Sequence, residues 1–231
     1  SKPPLLVMLH GGPHGSRDYW QYSSDVQLFA NRGYAVLQVN YRGSGGFGEV
    51  FEELGHREWG GDMIGDIVAA TKQVAETGAV DGDRICVFGG SYGGYAALMS
   101  AVRAPELFRC TIGYAGVYDL NLMYTQGDIP DSWGGVGYLE RVLGRDKENL
   151  AEFSPVNHVD EIEAAVMLIH GTQDHRVPVE HARAMRQKLE KAGKSVKWQL
   201  YGRSGHGVYS VENQREMYEG ILEFLGTHIG P

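Results

Sequence analysis

A serine, an acid and a histidine spread along 231 residues could together cleave an acyl bond. Ser91 stands at the centre of Gly89-Gly90-Ser91-Tyr92-Gly93, Asp174 follows Gly171-Thr172-Gln173, and His206 lies in Gly202-Arg203-Ser204-Gly205-His206-Gly207. A serine hydroxyl is a weak nucleophile until a neutral imidazole accepts its proton, and a carboxylate must fix that imidazole's tautomer. With 33 glycines in the chain, a G-x-S-x-G pattern arises readily by chance, so its weight comes from its setting. An apolar run ends at Phe88 and a helical one starts at Ser91, the strand-turn-helix junction that lifts a serine Oγ into the open. Taken singly, Asp174 also suits a helix N-cap and His206 also suits a loop histidine among glycines. What joins them to Ser91 is that each follows the end of a later apolar run, in the order acid then histidine.

Acyl transfer puts negative charge on the carbonyl oxygen, and N–H donors already aimed at that point supply much of the rate. The backbone N–H of Tyr92, next after the nucleophile and at a helix start, is the expected first donor. The second is expected from His10-Gly11-Gly12-Pro13, after the first apolar run, with Gly12 as the donor; a plain glycine turn is the competing reading.

Holding these residues together requires a sheet. Short β-rich apolar runs at 5–10, 34–40, 84–88, 110–115, 166–170 and 196–201 alternate with amphipathic stretches at 18–32, 62–77, 91–103, 179–192 and 212–227. That alternation specifies one α/β domain, a mostly parallel sheet with helices on both faces. Gly33, Gly78 and Gly193 fall where helix C-caps are wanted. Residues 117–159 break the alternation with Gly127, Pro130, Gly134, Gly135, Gly137 and several aromatics. They read as an insertion above the carboxyl ends of the strands, where ligands bind in open α/β sheets.

The net charge of −8 and the lack of any Lys/Arg cluster argue against nucleic acid as a partner. The apolar runs are strand-sized, so no membrane partner is expected either. Cys86 and Cys110 each lie inside an apolar run and read as buried thiols rather than a bridge. No CxxC or paired Cys/His spacing suggests a metal, and the chemistry outlined above needs no cofactor.

Together the motifs resemble the catalytic domain of the prolyl oligopeptidase family of serine peptidases, which has the α/β-hydrolase fold. The matching segments are His10-Gly11-Gly12-Pro13, Asn40-Tyr41-Arg42-Gly43-Ser44-Gly45-Gly46-Phe47-Gly48, Trp59-Gly60-Gly61-Asp62 with Asp66, Gly90-Ser91-Tyr92-Gly93-Gly94, Asp174-His175-Arg176-Val177-Pro178 and Gly205-His206-Gly207. They cover nearly the whole chain, and the HGGP and Gly-x-x-Asp-x-Arg-Val-Pro forms are most similar to the acylaminoacyl-peptidase and bacterial dipeptidyl-peptidase-like branches. The resemblance implies hydrolysis of short peptides or blocked amino acids by Ser91, Asp174 and His206, without a cofactor. It also implies that Arg176 binds a substrate carbonyl, a role that suits the guanidinium fork; a surface salt bridge is the alternative. The pocket for the acyl side chain is then expected from the insertion, with Val117, Tyr118, Leu122 and Trp133 as candidates that equally suit ordinary core.

The chain departs from the family's pattern at three points. Ser204 stands where many relatives have glutamate. His10 occupies the place of a tyrosine whose hydroxyl completes the oxyanion hole in prolyl oligopeptidase and dipeptidyl peptidase, which favours the backbone donor at Gly12. The family's N-terminal β-propeller and the first two strands of its hydrolase sheet have no counterpart in these 231 residues. The run 34–40 is therefore expected at a bare sheet edge, where pairing with a second copy of the chain would make a homo-oligomer. The competing functions are a carboxylesterase or deacetylase with the same triad, and a catalytic-domain fragment without activity.

Overall fold

Segments of four to ten residues pair side by side as six parallel strands in the computed structural model, which describes residues 2–231. The strands are β1 (Pro4–Leu9), β2 (Ala35–Gln38), β3 (Asp81–Gly90), β4 (Cys110–Tyr114), β5 (Ala165–Gly171) and β6 (Val196–Tyr201). Their order across the sheet is β2-β1-β3-β4-β5-β6. Parallel strands need long crossovers, and helices supply them here: α1 (Ser24–Ala30), α2 (Glu49–Glu53), α3 (Asp62–Glu76), α4 (Tyr92–Arg103), α5 (Asp128–Asp131), α6 (Gly135–Val142), α7 (Lys147–Glu152) and α8 (Glu180–Lys191), with α9 (Val211–Ile229) following the last strand.

Alternation along each strand sends side chains to two cores. Leu5, Val7, Leu9, Ile85, Val87, Val166 and Leu168 bury against α3, α4 and α8. Leu6, Cys86, Phe88, Met167 and Ile169 face α1 and α9 on the other side. The chain goes outward from β1 to β2 and then returns past β1 to β3, so the connections leaving the carboxyl ends of β1 and β3 diverge. A crevice opens at such a switch point, and the loops after β1 and β3 carry Gly11-Gly12 and Ser91.

Gly33, Gly78 and Gly193 adopt φ of 90°, 72° and 78° just beyond α1, α3 and α8, the left-handed backbone that ends a helix. The first helix is shorter than the stretch 18–32 suggests. Asn40 exchanges two hydrogen bonds with the Asp18 backbone, at 2.8 and 3.0 Å, which pins residue 18 beside the chain after β2. Ser23 then caps α1, its hydroxyl accepting from the Val26 N–H at 3.4 Å.

The cysteines also correct the expectation of free thiols. Cys86 and Cys110 lie directly opposite each other on β3 and β4, with Cα atoms 4.7 Å apart, and their sulfurs are bonded. Strand register brings them together, which the spacing in sequence does not reveal. β2 lies at the end of the sheet, its outer edge unpaired among the described residues. No helix of the described residues is long and apolar enough to cross a membrane, and no group of metal-ligating side chains occurs among them.

Leu98 of α4 is fully buried and reaches over Gly113 of β4, where a Cβ would meet Leu98 Cδ2 at 2.6 Å. Leu98→Ala is expected to cost about 2–5 kcal/mol of unfolding free energy, read from urea denaturation of the purified chain.

Candidate active site

β3 ends at Gly90 and α4 starts at Tyr92, which leaves one residue to reverse the chain. That residue, Ser91, has φ 58° and ψ −121°, a conformation side-chain-bearing residues avoid and one that is retained where surrounding structure enforces it. Its N–H is held by the Tyr114 carbonyl at 2.8 Å. The turn closes only because its neighbours lack side chains. A Cβ on Gly89 would lie 2.4 Å from the Gly93 carbonyl oxygen, and one on Gly93 would lie 2.2 Å from that of Leu9. Ser91 Oγ thus projects at the N-terminus of a 12-residue helix, where the helix dipole favours negative charge.

His206 lies on the loop after β6, with Nε2 3.0 Å from Ser91 Oγ and Nδ1 2.8 Å from Asp174 Oδ2. Asp174 lies on the loop after β5, its side chain wholly shielded from solvent. The backbones of the two loops also approach closely: a Cβ on Gly171 would fall 2.3 Å from the Gly205 carbonyl oxygen. Asp174 Oδ1 accepts the backbone N–H groups of Arg176 and Val177 at 2.9 and 2.8 Å.

A second imidazole stands behind the carboxylate, which the sequence analysis missed. His170 at the end of β5 is fully buried, with Nε2 2.8 Å from the Val177 carbonyl oxygen and 3.4 Å from Asp174 Oδ2. Both neighbours are acceptors, so its proton sits on Nε2. Burial by itself would raise the Asp174 pKa, but the hydrogen bonds from His170, His206 and Val177 prevail and hold it well below the usual carboxylate range. A lasting charge there keeps the His206 proton on Nδ1 and leaves Nε2 free to accept one from Ser91.

Gly12 and Tyr92 line the same cleft as Ser91, and Gly11 lies so close to the turn that its Cβ would be 3.3 Å from that of Ser91. Gly12 itself has φ 115°, a conformation available to glycine. His10 turns to the scaffold: its Nε2 is 2.8 Å from Ser44 Oγ, and its ring stacks on Tyr41 with centroids 4.5 Å apart. The Tyr41 hydroxyl donates to the His10 carbonyl at 2.6 Å, which pins the loop at its base.

The cleft in front of Ser91 has a volume of about 320 Å³. Of the residues expected there, Val117, Trp133 and Arg176 line it, Trp133 as a fully exposed ring at the rim. Arg176 is half exposed and pairs with Asp128 at 3.1 Å. Tyr118 and Leu122 do not line it. Tyr118 is fully buried under Gly113 and Gly116, filling the room these glycines leave. Leu122 opens the single helical turn Leu122–Tyr124 and faces a separate cavity with Val136 and Leu150, while its neighbour Met123 faces the cleft. Ile129, Tyr138 and Val177 complete the apolar wall. Nothing periodic in residues 117–159 distinguishes these side chains from their neighbours.

The model of the prolyl oligopeptidase family matches residues 20–231. The chain is 32% identical to a dipeptidyl aminopeptidase BIII of Pseudoxanthomonas mexicana over 98% of its own length and 33% of the relative's. It is 30% identical to the acylamino-acid-releasing enzyme of Rattus norvegicus, again over 98% of the chain and 32% of the relative. The chain thus spans about a third of the length of these relatives. An acylaminoacyl peptidase solved in complex with Z-Gly-Gly-Phe-chloromethyl ketone superposes with a TM-score of 0.91 at 28% identity, over 99% of this chain and 37% of that one. The six-stranded sheet with its flanking helices has the α/β-hydrolase fold of these neighbours.

The Asp174 carboxyl binds a proton less readily in the folded chain than when unfolded, where a carboxyl of this type titrates near 4. Its contribution to stability is therefore complete above about pH 5 and declines as pH falls further. Asp174→Asn should flatten that part of the acid limb in thermal melts run between pH 3 and 6, relative to the unsubstituted chain.

Proposed function

The chain belongs to the prolyl oligopeptidase family, and we propose that it is a serine peptidase that hydrolyses short peptides or N-blocked aminoacyl peptides through an acyl-enzyme on Ser91. The observation that carries this reading is the unbroken line of hydrogen bonds from Ser91 Oγ through His206 to Asp174, at 3.0 and 2.8 Å.

Ser91 Oγ attacks the scissile carbonyl carbon as His206 Nε2 takes the hydroxyl proton, and Asp174 stabilises the imidazolium that results. The carbonyl oxygen becomes an oxyanion, held by the N–H groups of Tyr92 and Gly12. The C–N bond then breaks, His206 returns the proton to the departing amine, and the acyl group stays on Ser91 as an ester. Water repeats the cycle with His206 as base, releasing the acid and the free hydroxyl. None of these steps calls for a metal or a redox group.

The wall formed by Val117, Met123, Ile129 and Tyr138 suits an apolar side chain on the residue that supplies the acyl carbon. Arg176, whose guanidinium lies at the edge of the same cleft, would donate to a carbonyl further along the substrate. The names of the relatives point to peptides with either a free or a blocked N-terminus, and the cleft described above accepts the acyl side chain of both.

A fluorophosphonate probe should label Ser91, and Ser91→Ala should remove both labelling and hydrolysis of aminoacyl anilides, with kcat falling about a million-fold. Arg176→Ala should raise KM several-fold with a smaller change in kcat. Turnover of p-nitrophenyl esters without any turnover of blocked or free aminoacyl anilides would replace the peptidase reading with a carboxylesterase.

A further inference from the structure

We propose that Tyr114 is a positioning residue that fixes the distance between the base and the nucleophile, by holding the Ser91 turn with its backbone and the His206 loop with its side chain. This inference rests on the roles given to Ser91 and His206 above.

Ser91 follows β3 and His206 follows β6, and two strands, β4 and β5, separate these in the sheet. The 3.0 Å contact between their side chains therefore depends on two loops that meet above strands belonging to neither. Tyr114 is the last residue of β4, opposite Gly90 in register. Its carbonyl accepts the Ser91 N–H at 2.8 Å. Its ring reaches toward the other loop, where the hydroxyl oxygen accepts the backbone N–H of Val208 at 2.7 Å, two residues beyond His206.

The loop has few other ties at that point. Upstream of His206 it is held by Gln173 N–H to the Ser204 carbonyl at 2.9 Å and by Arg203 N–H to Thr172 Oγ1 at 3.3 Å. From Gly205 to Tyr209 the backbone makes two hydrogen bonds among the described residues, and both are at Val208: the one from its N–H to Tyr114, and one in which its carbonyl accepts Gln214 Nε2 at 2.9 Å. Val208 is buried, so its N–H has no ready replacement in solvent. Burial pushes the Tyr114 pKa up to about 12, so the ring oxygen is a neutral phenol in neutral solution. A phenol oxygen can accept one hydrogen bond while its own proton faces elsewhere.

A displacement of about 1 Å in a catalytic group costs on the order of a hundredfold in rate. Tyr114→Phe keeps the ring and removes only the acceptor, so it isolates this contact. We expect kcat to fall about ten- to a hundredfold with KM within twofold. The amides from Gly205 to Tyr209 should exchange with deuterium faster, and the far-downfield proton resonance of His206 Nδ1 bound to Asp174 should broaden or vanish. Gln214→Ala, a change on an exposed helix position, should act in the same direction more weakly. The double variant should lose less than the product of the two, because both side chains hold the one residue.

A Tyr114→Phe chain with kcat within twofold and unchanged amide exchange overturns the proposal, as does one that melts at lower temperature with kcat intact. If that variant does not fold, the unsubstituted chain decides: a Val208 amide that exchanges with deuterium as fast as those of Gly207 and Tyr209 overturns the proposal, and a protected one supports it. Failure of the unsubstituted chain to react with a fluorophosphonate would instead sink the peptidase reading; the exchange and resonance measurements need no turnover and still decide on Tyr114.

Discussion

The whole site depends on how closely the first turn of α4 passes the end of β1. With no side chain at position 93, the helix backbone can lie against the Leu9 carbonyl at a distance that any Cβ would forbid. That approach forces the reversal at Ser91 into the left-handed region and aims its hydroxyl out of the sheet. It also sets the loop after β1 against the turn, so that Gly12 and Tyr92 share one wall of the cleft. The divergence of connections at β1 and β3 opens the space, and the glycines allow backbone to fill its floor. Ser91 and the backbone N–H groups of Gly12 and Tyr92, the proposed nucleophile and oxyanion donors, are therefore fixed by main-chain geometry, which would need no reorganisation as charge develops.

The acid is held by a different means. A buried carboxylate without partners would take up a proton rather than stay charged. Asp174 escapes this through N–H donors on both oxygens, two from the backbone of its own loop and two from imidazoles. His170 serves twice, since its Nε2 also holds the carbonyl of Val177, whose N–H binds the other carboxylate oxygen. The contrast with Arg176 and Asp128 is instructive: that pair is about half exposed on both sides, where an ion pair contributes about 0–1 kcal/mol and leaves the guanidinium able to change partners.

What was legible in the sequence follows from these two kinds of constraint. The four inner strands appear as continuous apolar runs and the half-exposed end strands β2 and β6 each follow a helix-ending glycine, so all six were located, and the glycine pattern around Ser91 records a backbone clash that can be read from residue types alone. Asp174 and His206 were legible because the fold puts such residues at the ends of particular strands. The failures share a physical origin. The Cys86–Cys110 bond depends on strand register, the start of α1 on a long-range contact between Asn40 and residue 18, and the role of His170 on a fold-back of only four residues that any buried histidine in an apolar strand would conceal. In the insertion Tyr118 and Met123 are both apolar and both follow β4, yet one fills the void over two glycines and the other faces the cleft. Which way each side chain turns is decided by packing with elements distant in sequence.

On the proposed peptidase function, this division between backbone and side chain would let one catalytic frame serve different substrates. Ser91 and His206 are set by the sheet, by glycine contacts below van der Waals reach of any side chain, and by the Asp174 carboxylate shielded from water. The cleft is bounded by residues of the insertion, where short helices α5 and α6 and a single helical turn present Met123, Ile129, Trp133 and Tyr138 from segments that carry no strand. Exchanging one of these changes the shape offered to substrate without moving Ser91, because no hydrogen bond of the catalytic line passes through them. On the proposed function, substrate choice would therefore change through loop substitutions worth about 1–3 kcal/mol each in the cleft, while a single Cβ at position 93 would displace Ser91 and the proposed oxyanion donors together.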